Sequence, residues 1–138
     1  KKLNLNQEGL ESELIFNGEN QKISLFTNFS KSKTTNGSAQ LRRPDITYGG
    51  NYFKKFNNSL VGIFDINLNY KFTGKHWDIS SGNVEVKSTH IINFAATKNL
   101  YGSIWNLNIS NLLNERYERP ITYSQDGRQL RIGFTRKF

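Results

Sequence analysis

The chain has 138 residues, enough for one domain, with a formal net charge of +8 and neither Cys nor Met. Disulfides and thiolate metal sites are excluded, and at a mean hydropathy of −0.63 no run approaches the roughly 18–20 apolar residues of a membrane-spanning helix. A membrane β-barrel stays open, because its strands are apolar on one face only and its lumen is polar. Lack of Met, even at position 1, and of a signal peptide points to a mature or excised piece. Lys and Arg are scattered and cluster only at Lys1-Lys2, Arg42-Arg43 and Lys54-Lys55. These read as solvated rims and loops, not as a nucleic-acid surface.

Period-2 alternation recurs throughout and no 3.6-residue period appears, which predicts an all-β chain of seven strands. The first, about 7–16, sets Leu10, Leu14 and Phe16 against Glu11 and Glu13. The second, about 22–31, sets Ile23, Leu25 and Phe29 against Ser24, Asn28 and Ser30. The third, about 45–54, carries Ile46, Tyr48 and Tyr52 around Gly49-Gly50, a place of kinking or close packing. The fourth, about 60–73, sets Leu60, Phe64, Ile66, Leu68, Tyr70 and Phe72 against Asp65, Asn67, Asn69 and Lys71. The fifth, about 86–97, carries Ile92, Phe94 and Ala96; the sixth, about 100–110, sets Tyr101, Trp105, Leu107 and Ile109 against Asn106, Asn108 and Ser110. The last begins after Arg128, with Leu130, Ile132, Phe134 and Phe138 on one side; Arg136 interrupts that row near its end.

The connections alternate in length. Asn17–Gln21 is short, 32–44 long, Phe56–Ser59 short, 74–85 long, Lys98-Asn99 a tight turn and 111–127 long. Transmembrane barrels have tight turns on the periplasmic side and longer loops outside, whereas a soluble sandwich has no reason to alternate so regularly. On this expectation the apolar rows face lipid, the Asn, Asp, Ser and Glu rows face a lumen, and the sheet must close, because lipid offers backbone groups no partner. Phe16, Tyr52, Phe53, Phe72, Trp77, Tyr101 and Phe138, near strand ends, fit interfacial aromatic girdles.

The segment Asn111-Leu112-Leu113-Asn114-Glu115-Arg116-Tyr117, then Gly127-Arg128, then an alternating strand ending on Phe138, resembles the C-terminus of TonB-dependent outer-membrane receptors. Their usual form is Asn-Leu-Phe-Asp-x-x-Tyr, a loop ending Gly-Arg, and the closing strand. Arg42-Arg43-Pro44 before a strand resembles the family's Arg-Pro step, and Asn6–Glu11 its Gly-x-Glu strand opening. Leu113, Asn114 and Arg136 depart from the usual Phe, Asp and apolar residue; none breaks a strand, and Arg136 can snorkel to a headgroup level. Segment order is closest to the vitamin B12 and siderophore receptor branches.

The resemblance implies that residues 1–138 are the C-terminal part of a receptor barrel of about 22 strands, without its plug domain. An odd number of strands leaves the two chain ends on opposite sides of a membrane and the first strand with an open edge. The implied location is the bacterial outer membrane. The implied activity is uptake, driven by a TonB complex through the plug, of a metal chelate (ferric siderophore or haem) or cobalamin. The implied partners are outer-membrane lipid, the plug and the remaining strands. Asn111, Leu112, Leu113, Asn114, Tyr117, Gly127, Arg128 and Phe138 carry the motif and barrel closure.

No catalytic constellation is legible, and no cofactor or enzymatic activity is expected. His76 reads as a solvated loop residue beside Trp77 and Asp78, His90 as an interfacial residue on the apolar row, and neither stands in a metal-ligand pattern. Glu11, Glu13 and Asp65 read as lumen-facing carboxylates. Gly49-Gly50 lacks the Lys-Ser/Thr of a phosphate loop. In the long loops Trp77, Arg116, Tyr117, Arg119 and Tyr123 are the candidate substrate contacts, rings for apolar surface and Arg for anions. Two other architectures fit the pattern: a complete outer-membrane barrel of about eight strands with a structural or adhesive role, its eighth strand drawn from residues 1–6, or a soluble ligand-binding β-barrel or sandwich with the Phe64/Ile66/Leu68/Tyr70 row buried.

Overall fold

The computed structural model describes residues 5–34, 41–58, 62–78 and 84–136. Lys1, Lys2, Leu60, Lys137 and Phe138 lie outside them. Nine strands form: β1 (Leu5–Asn17), β2 (Gln21–Thr34), β3 (Ile46–Asn58), β4 (Gly62–Thr73), β5 (His76–Asp78), β6 (Val84–Val86), β7 (Thr89–Leu100), β8 (Ser103–Ser110) and β9 (Gln129–Arg136). Seven make one antiparallel sheet in the order β1-β2-β3-β4-β7-β8-β9, and β5 and β6 pair as a separate small hairpin. The protein is all-β, and no helix occurs among the described residues. Each strand of the large sheet pairs with the one before it, so tight turns gather at one end and the three long loops at the other.

The register follows from the hydrophobic pattern, because slipping one residue would send every side chain to the other face. Leu14 lies opposite Leu25 and Phe16 opposite Ile23; Ile23 is opposite Tyr52, Tyr52 opposite Leu68, Leu68 opposite Phe94, Phe94 opposite Ile109 and Ile109 opposite Leu130. One face is therefore a continuous apolar band. The other carries Glu11 opposite Asn28, Asn51 opposite Asn69, Asn69 opposite Asn93 and Asn108 opposite Arg131. Among the described residues the alternation expected for the seven strands holds, with Lys54, Lys98 and Arg136 interrupting the apolar rows of β3, β7 and β9.

Two rows of rings bracket the band. Toward the loops, Tyr48 stacks on Phe72 at 4.6 Å and Phe72 meets His90 at 4.8 Å. Toward the turns, Phe56 stacks on Phe64 at 4.7 Å and Trp105 meets Phe134 edge-on at 4.9 Å. Lysines cap both rows: Lys31 over Phe29 at 5.5 Å and Lys54 over Phe56 at 4.9 Å. Phe64 and Phe72 are eight residues apart on one strand, about 26 Å at the usual rise.

The sequence misplaces several rings. Tyr52 sits mid-band, Phe53 lies on the polar face between Lys22 and Asn67, Trp77 lies in the β5–β6 hairpin and Tyr101 is in a turn, 92% exposed. The turn itself is not Lys98-Asn99, which stay in β7. It is Tyr101-Gly102, because those two residues take φ of 49° and 73°, the left-handed pair that a two-residue hairpin requires. The stretch 74–85, expected to be a plain loop, contains β5 and the start of β6.

The band crosses the sheet obliquely. On its loop side it begins at Phe29, opposite Ile46. It ends at Leu130, which traces through Ile109, Phe94 and Leu68 to Tyr52, six residues further along β3. Six residues over five ladders is a slant of about 40° at about 3.3 Å rise and about 4.8 Å strand spacing.

Nothing covers either face among the described residues. No two strands of the large sheet approach each other except as ladder neighbours, and β1 and β9 are its two edges. The sole buried hydrophobic side chain there is Val86; Leu10, Phe16 and Ile132 are each about two-thirds exposed, at 66%, 67% and 69%. The Phe64–Tyr70 row is half-buried by its lateral neighbours alone.

Gly49-Gly50 serves close packing. A Cβ on Gly49 would collide with the Tyr70 carbonyl and lie 3.0 Å from the ring of Phe26, and one on Gly50 would lie 2.7 Å from Leu25 Cδ2. The pair lets a cross-strand side chain lie over the backbone on each face. Gly49→Val is expected to destabilise the sheet by about 3 kcal/mol. Gly102→Ala, at positive φ with open space around it, costs about 1 kcal/mol. Urea unfolding midpoints of the two variants check the ranking; equal losses would contradict it.

Candidate functional site

The long loops are built on two polar clusters. The first is a clasp at the base of 111–128. Asn111 and Asn114 take φ of 50° and 54°, a conformation Asn tolerates better than most residues. Asn114 N donates to Asn111 O at 2.8 Å. The Asn111 side chain, almost wholly buried, donates to Glu115 O at 2.8 Å and Asp126 O at 3.3 Å, and accepts from Glu115 N at 2.9 Å. Asn114 Oδ1 accepts from Arg128 N at 2.9 Å, and Arg128 Nη1 reaches Leu112 O at 3.4 Å. A Cβ on Gly127 would sit 2.7 Å from Asn114 Oδ1. Asn111, Leu112, Asn114, Gly127 and Arg128, singled out as a motif, thus meet in space. Leu113 projects outward, 59% exposed.

The clasp also extends the sheet. Beyond Phe94, β7 has no β8 partner on that side. Instead Leu112 N donates to Ile92 O at 2.7 Å, Asn111 N to Asn93 Oδ1 at 3.0 Å, and His90 N to Glu115 Oε2 at 2.7 Å.

The second cluster centres on Asp78, whose side chain is fully buried. Its Oδ1 accepts from Arg42 Nε at 2.7 Å and its Oδ2 from Ile121 N at 2.9 Å. Arg42, at φ 61°, also donates its backbone N–H to Trp77 O at 2.6 Å. One carboxylate therefore ties together all three long loops. A buried carboxylate is tolerated only when its oxygens are satisfied, and here a guanidinium and a backbone N–H satisfy them. The sequence gives no sign of this role for Asp78; Arg42-Arg43-Pro44 is its one legible part. Arg43 adds a bond to Gln7 Oε1 at 3.0 Å.

Of the five candidate contact residues, the structure brings two together. Arg116 and Tyr117 line both a cleft of about 580 Å³ with Asn114, Glu118 and Gln125 and one of about 320 Å³ against Val86, Lys87 and Ile121. Trp77, Arg119 and Tyr123 line neither; Tyr123 is 66% exposed, and Arg119 N donates to Tyr123 O at 3.0 Å across a small turn. The carboxylates near the clefts are engaged: Glu115 by His90 N, Glu118 by Thr122 N at 2.7 Å, and Glu85 by Lys75 at 3.0 Å. Arg116 and Lys87 face these clefts beside Glu115 and Glu118, whose carboxylates keep their charge while accepting from neutral backbone N–H groups, so the clefts carry both signs.

His76 is buried, not solvated; its Nδ1 lies 3.3 Å from Gly74 O, in the gap between β4 and the small hairpin. His90 is on the apolar face as expected, with Nδ1 2.9 Å from the Tyr70 hydroxyl. Glu11 accepts a bond from Asn28 Nδ2. No group of three or more His, Cys, Asp and Glu among the described residues is placed to hold a metal ion.

No family model matches this sequence, and no curated protein matches it.

Asp78→Ala removes the anchor of three loops. Arg42 is half-exposed and can rehydrate, so the loss is about 2 kcal/mol, below that of a fully buried pair. Limited proteolysis within 74–88 and 111–128 should accelerate together, and unchanged cleavage would contradict the role. Asn111→Ala should accelerate cleavage within 111–128 alone.

Proposed function

We propose that the chain is the C-terminal part of the β-barrel of a TonB-dependent outer-membrane receptor that takes up a scarce, bulky nutrient. The observation that carries this reading is the uncovered apolar face, bracketed by two rows of rings about 26 Å apart along the strand, which at a strand tilt of about 40° is about 20 Å of height and fits within the apolar band of about 25 Å of outer-membrane barrels. A level band crossing the strands at about 40° corresponds to the strand tilt of such barrels. A soluble sandwich would need a second layer, and a complete small barrel would need β1 to meet β9. The two sheet edges instead call for further strands, since unpaired backbone in hydrocarbon costs several kcal/mol per group. The clasp of Asn111, Asn114, Gly127 and Arg128 supports the family, because the residues of its C-terminal motif act as one unit.

In this reading the Asn-rich face lines the lumen and bonds the plug, and the turn end is periplasmic. The loop end faces outward, where Arg116 and Tyr117 meet the substrate, a metal chelate (ferric siderophore or haem) or cobalamin, with Arg116 for an anionic group and the Tyr117 ring for apolar surface. Substrate binds from outside and the TonB complex pulls on the plug, while this segment supplies wall, loops and the closing strand. Nothing in the described residues performs the pulling.

Single cysteines in the full-length protein test the reading in cells. Leu68→Cys should resist a water-soluble maleimide and react with a lipid-soluble one, and Asn69→Cys the reverse; equal labelling of both by the water-soluble reagent would contradict it. Deleting the gene should abolish high-affinity uptake of one of the three substrate types, and Arg116→Ala should weaken binding of that substrate by about tenfold.

A further inference from the structure

The charges on the two faces are arranged differently. The polar face mixes Glu11, Glu13 and Asp65 with Lys22, Lys55, Lys71 and Arg131. Among the described residues the charges on the turn-ward half of the apolar face are Lys54, Lys98 and Arg136, all cationic. Their positions are regular. Lys98 lies opposite Phe64, and Phe64 opposite Phe56, two residues beyond Lys54 on β3. Arg136 lies opposite Ser103, and Ser103 opposite Leu100, two residues beyond Lys98 on β7. The three step one row toward the turns for every two strands crossed. That is a slant of about 35°, nearly parallel to the loop-side edge of the band, so they stand at one level beneath it. Neighbouring cations on this line are about 12 Å apart.

Each cation adjoins a ring: Lys54 lies over Phe56, Lys98 opposite Trp105, and Arg136 two residues after Phe134. Such placement lets the stem cover apolar surface while the head reaches outward. Glu19, in the β1–β2 turn, and Asp65, on the other face, form no ion pair with Lys54 or Lys98.

We propose that this line is a binding rim for anionic phospholipid headgroups in the leaflet at the turn end of the sheet. The inference rests on the membrane reading above. Charge complementarity selects the occupant: a level row of cations among the turn-side rings, whose long stems carry the heads past Phe56 and Leu100, meets phosphate where acyl chains end and headgroups begin. With their backbones about 12 Å apart, Lys54 and Lys98 can each engage a separate headgroup. An attraction of this kind gives roughly fivefold preference per cation and weakens with salt.

The test is lipid selectivity of the full-length protein in phosphatidylcholine vesicles doped with spin-labelled phosphatidylglycerol or spin-labelled phosphatidylcholine. The wild type should enrich phosphatidylglycerol severalfold at its surface, and added salt should erase the enrichment. Lys54→Gln/Lys98→Gln should remove most of the enrichment, leaving the share held at Arg136, while Lys22→Gln/Lys55→Gln, on the polar face, should leave it unchanged. No preference in the wild type, a preference insensitive to salt, or an equal loss in both double variants would overturn the rim. Failure of the wild type to enter vesicles at all would instead refute the membrane reading.

Discussion

One constraint organises this chain: a single antiparallel sheet must satisfy its backbone through its ladders while one whole face stays apolar and uncovered. Interior strands meet the first demand, since each of β2, β3, β4, β7 and β8 has a partner on both sides. The second demand is met by nothing within the described residues. An apolar area that large on an isolated domain in water is an invitation to association. The open rows of N–H and C=O along β1 and β9 have the same consequence. The receptor proposal accounts for both features together, with further strands beside the sheet and lipid in front of it.

Local chemistry keeps the sheet in register. The Gly49-Gly50 pair admits Phe26 on one face and Leu25 on the other, and slipping one residue would place bulk where only hydrogen fits. The turn at Tyr101-Gly102 fixes β7 against β8. At the opposite end the loops do not hang free. Asn111 bonds both limbs of its loop, and Asp78 joins that loop to the two others, so the surface bearing Arg116 and Tyr117 is braced from below and from the side. A braced surface loses less conformational entropy when it binds, which suits capture of a dilute ligand.

Much of the architecture was legible because period-2 alternation is a strong signal over strands of eight to fourteen residues. The faces of Leu10, Leu25, Ile66, Leu107 and Ile132 could be read directly. What could not be read has physical causes. Strands β5 and β6 are three residues each, too short for any period to register. Asn99 has turn-former character but stays in β7, because Gly102 three residues on accepts positive φ more readily. Phe53 and Phe26 point to the polar face, where hydrophobicity alone would not put them. The motif of Asn111, Asn114, Gly127 and Arg128 was visible as a string of residue types, yet its mutual hydrogen bonds depend on a loop folding back over fourteen positions. Asp78 was invisible as a hub, since a carboxylate's partners from two other loops leave no local trace.

The central claim concerns what lies in front of the apolar face, and a depth scan along β4 addresses it most directly. Nitroxides placed one at a time from Ile63 to Phe72 in the full-length protein, in native-like membranes, would report collisions with oxygen, which concentrates in hydrocarbon, and with a water-soluble nickel chelate. The account predicts a two-residue alternation, with Phe64, Ile66, Leu68 and Tyr70 oxygen-rich and deepest near Leu68, and Asp65, Asn67 and Asn69 oxygen-poor. Equal shielding of both sets from oxygen and nickel, as in a sealed protein interior, would contradict it.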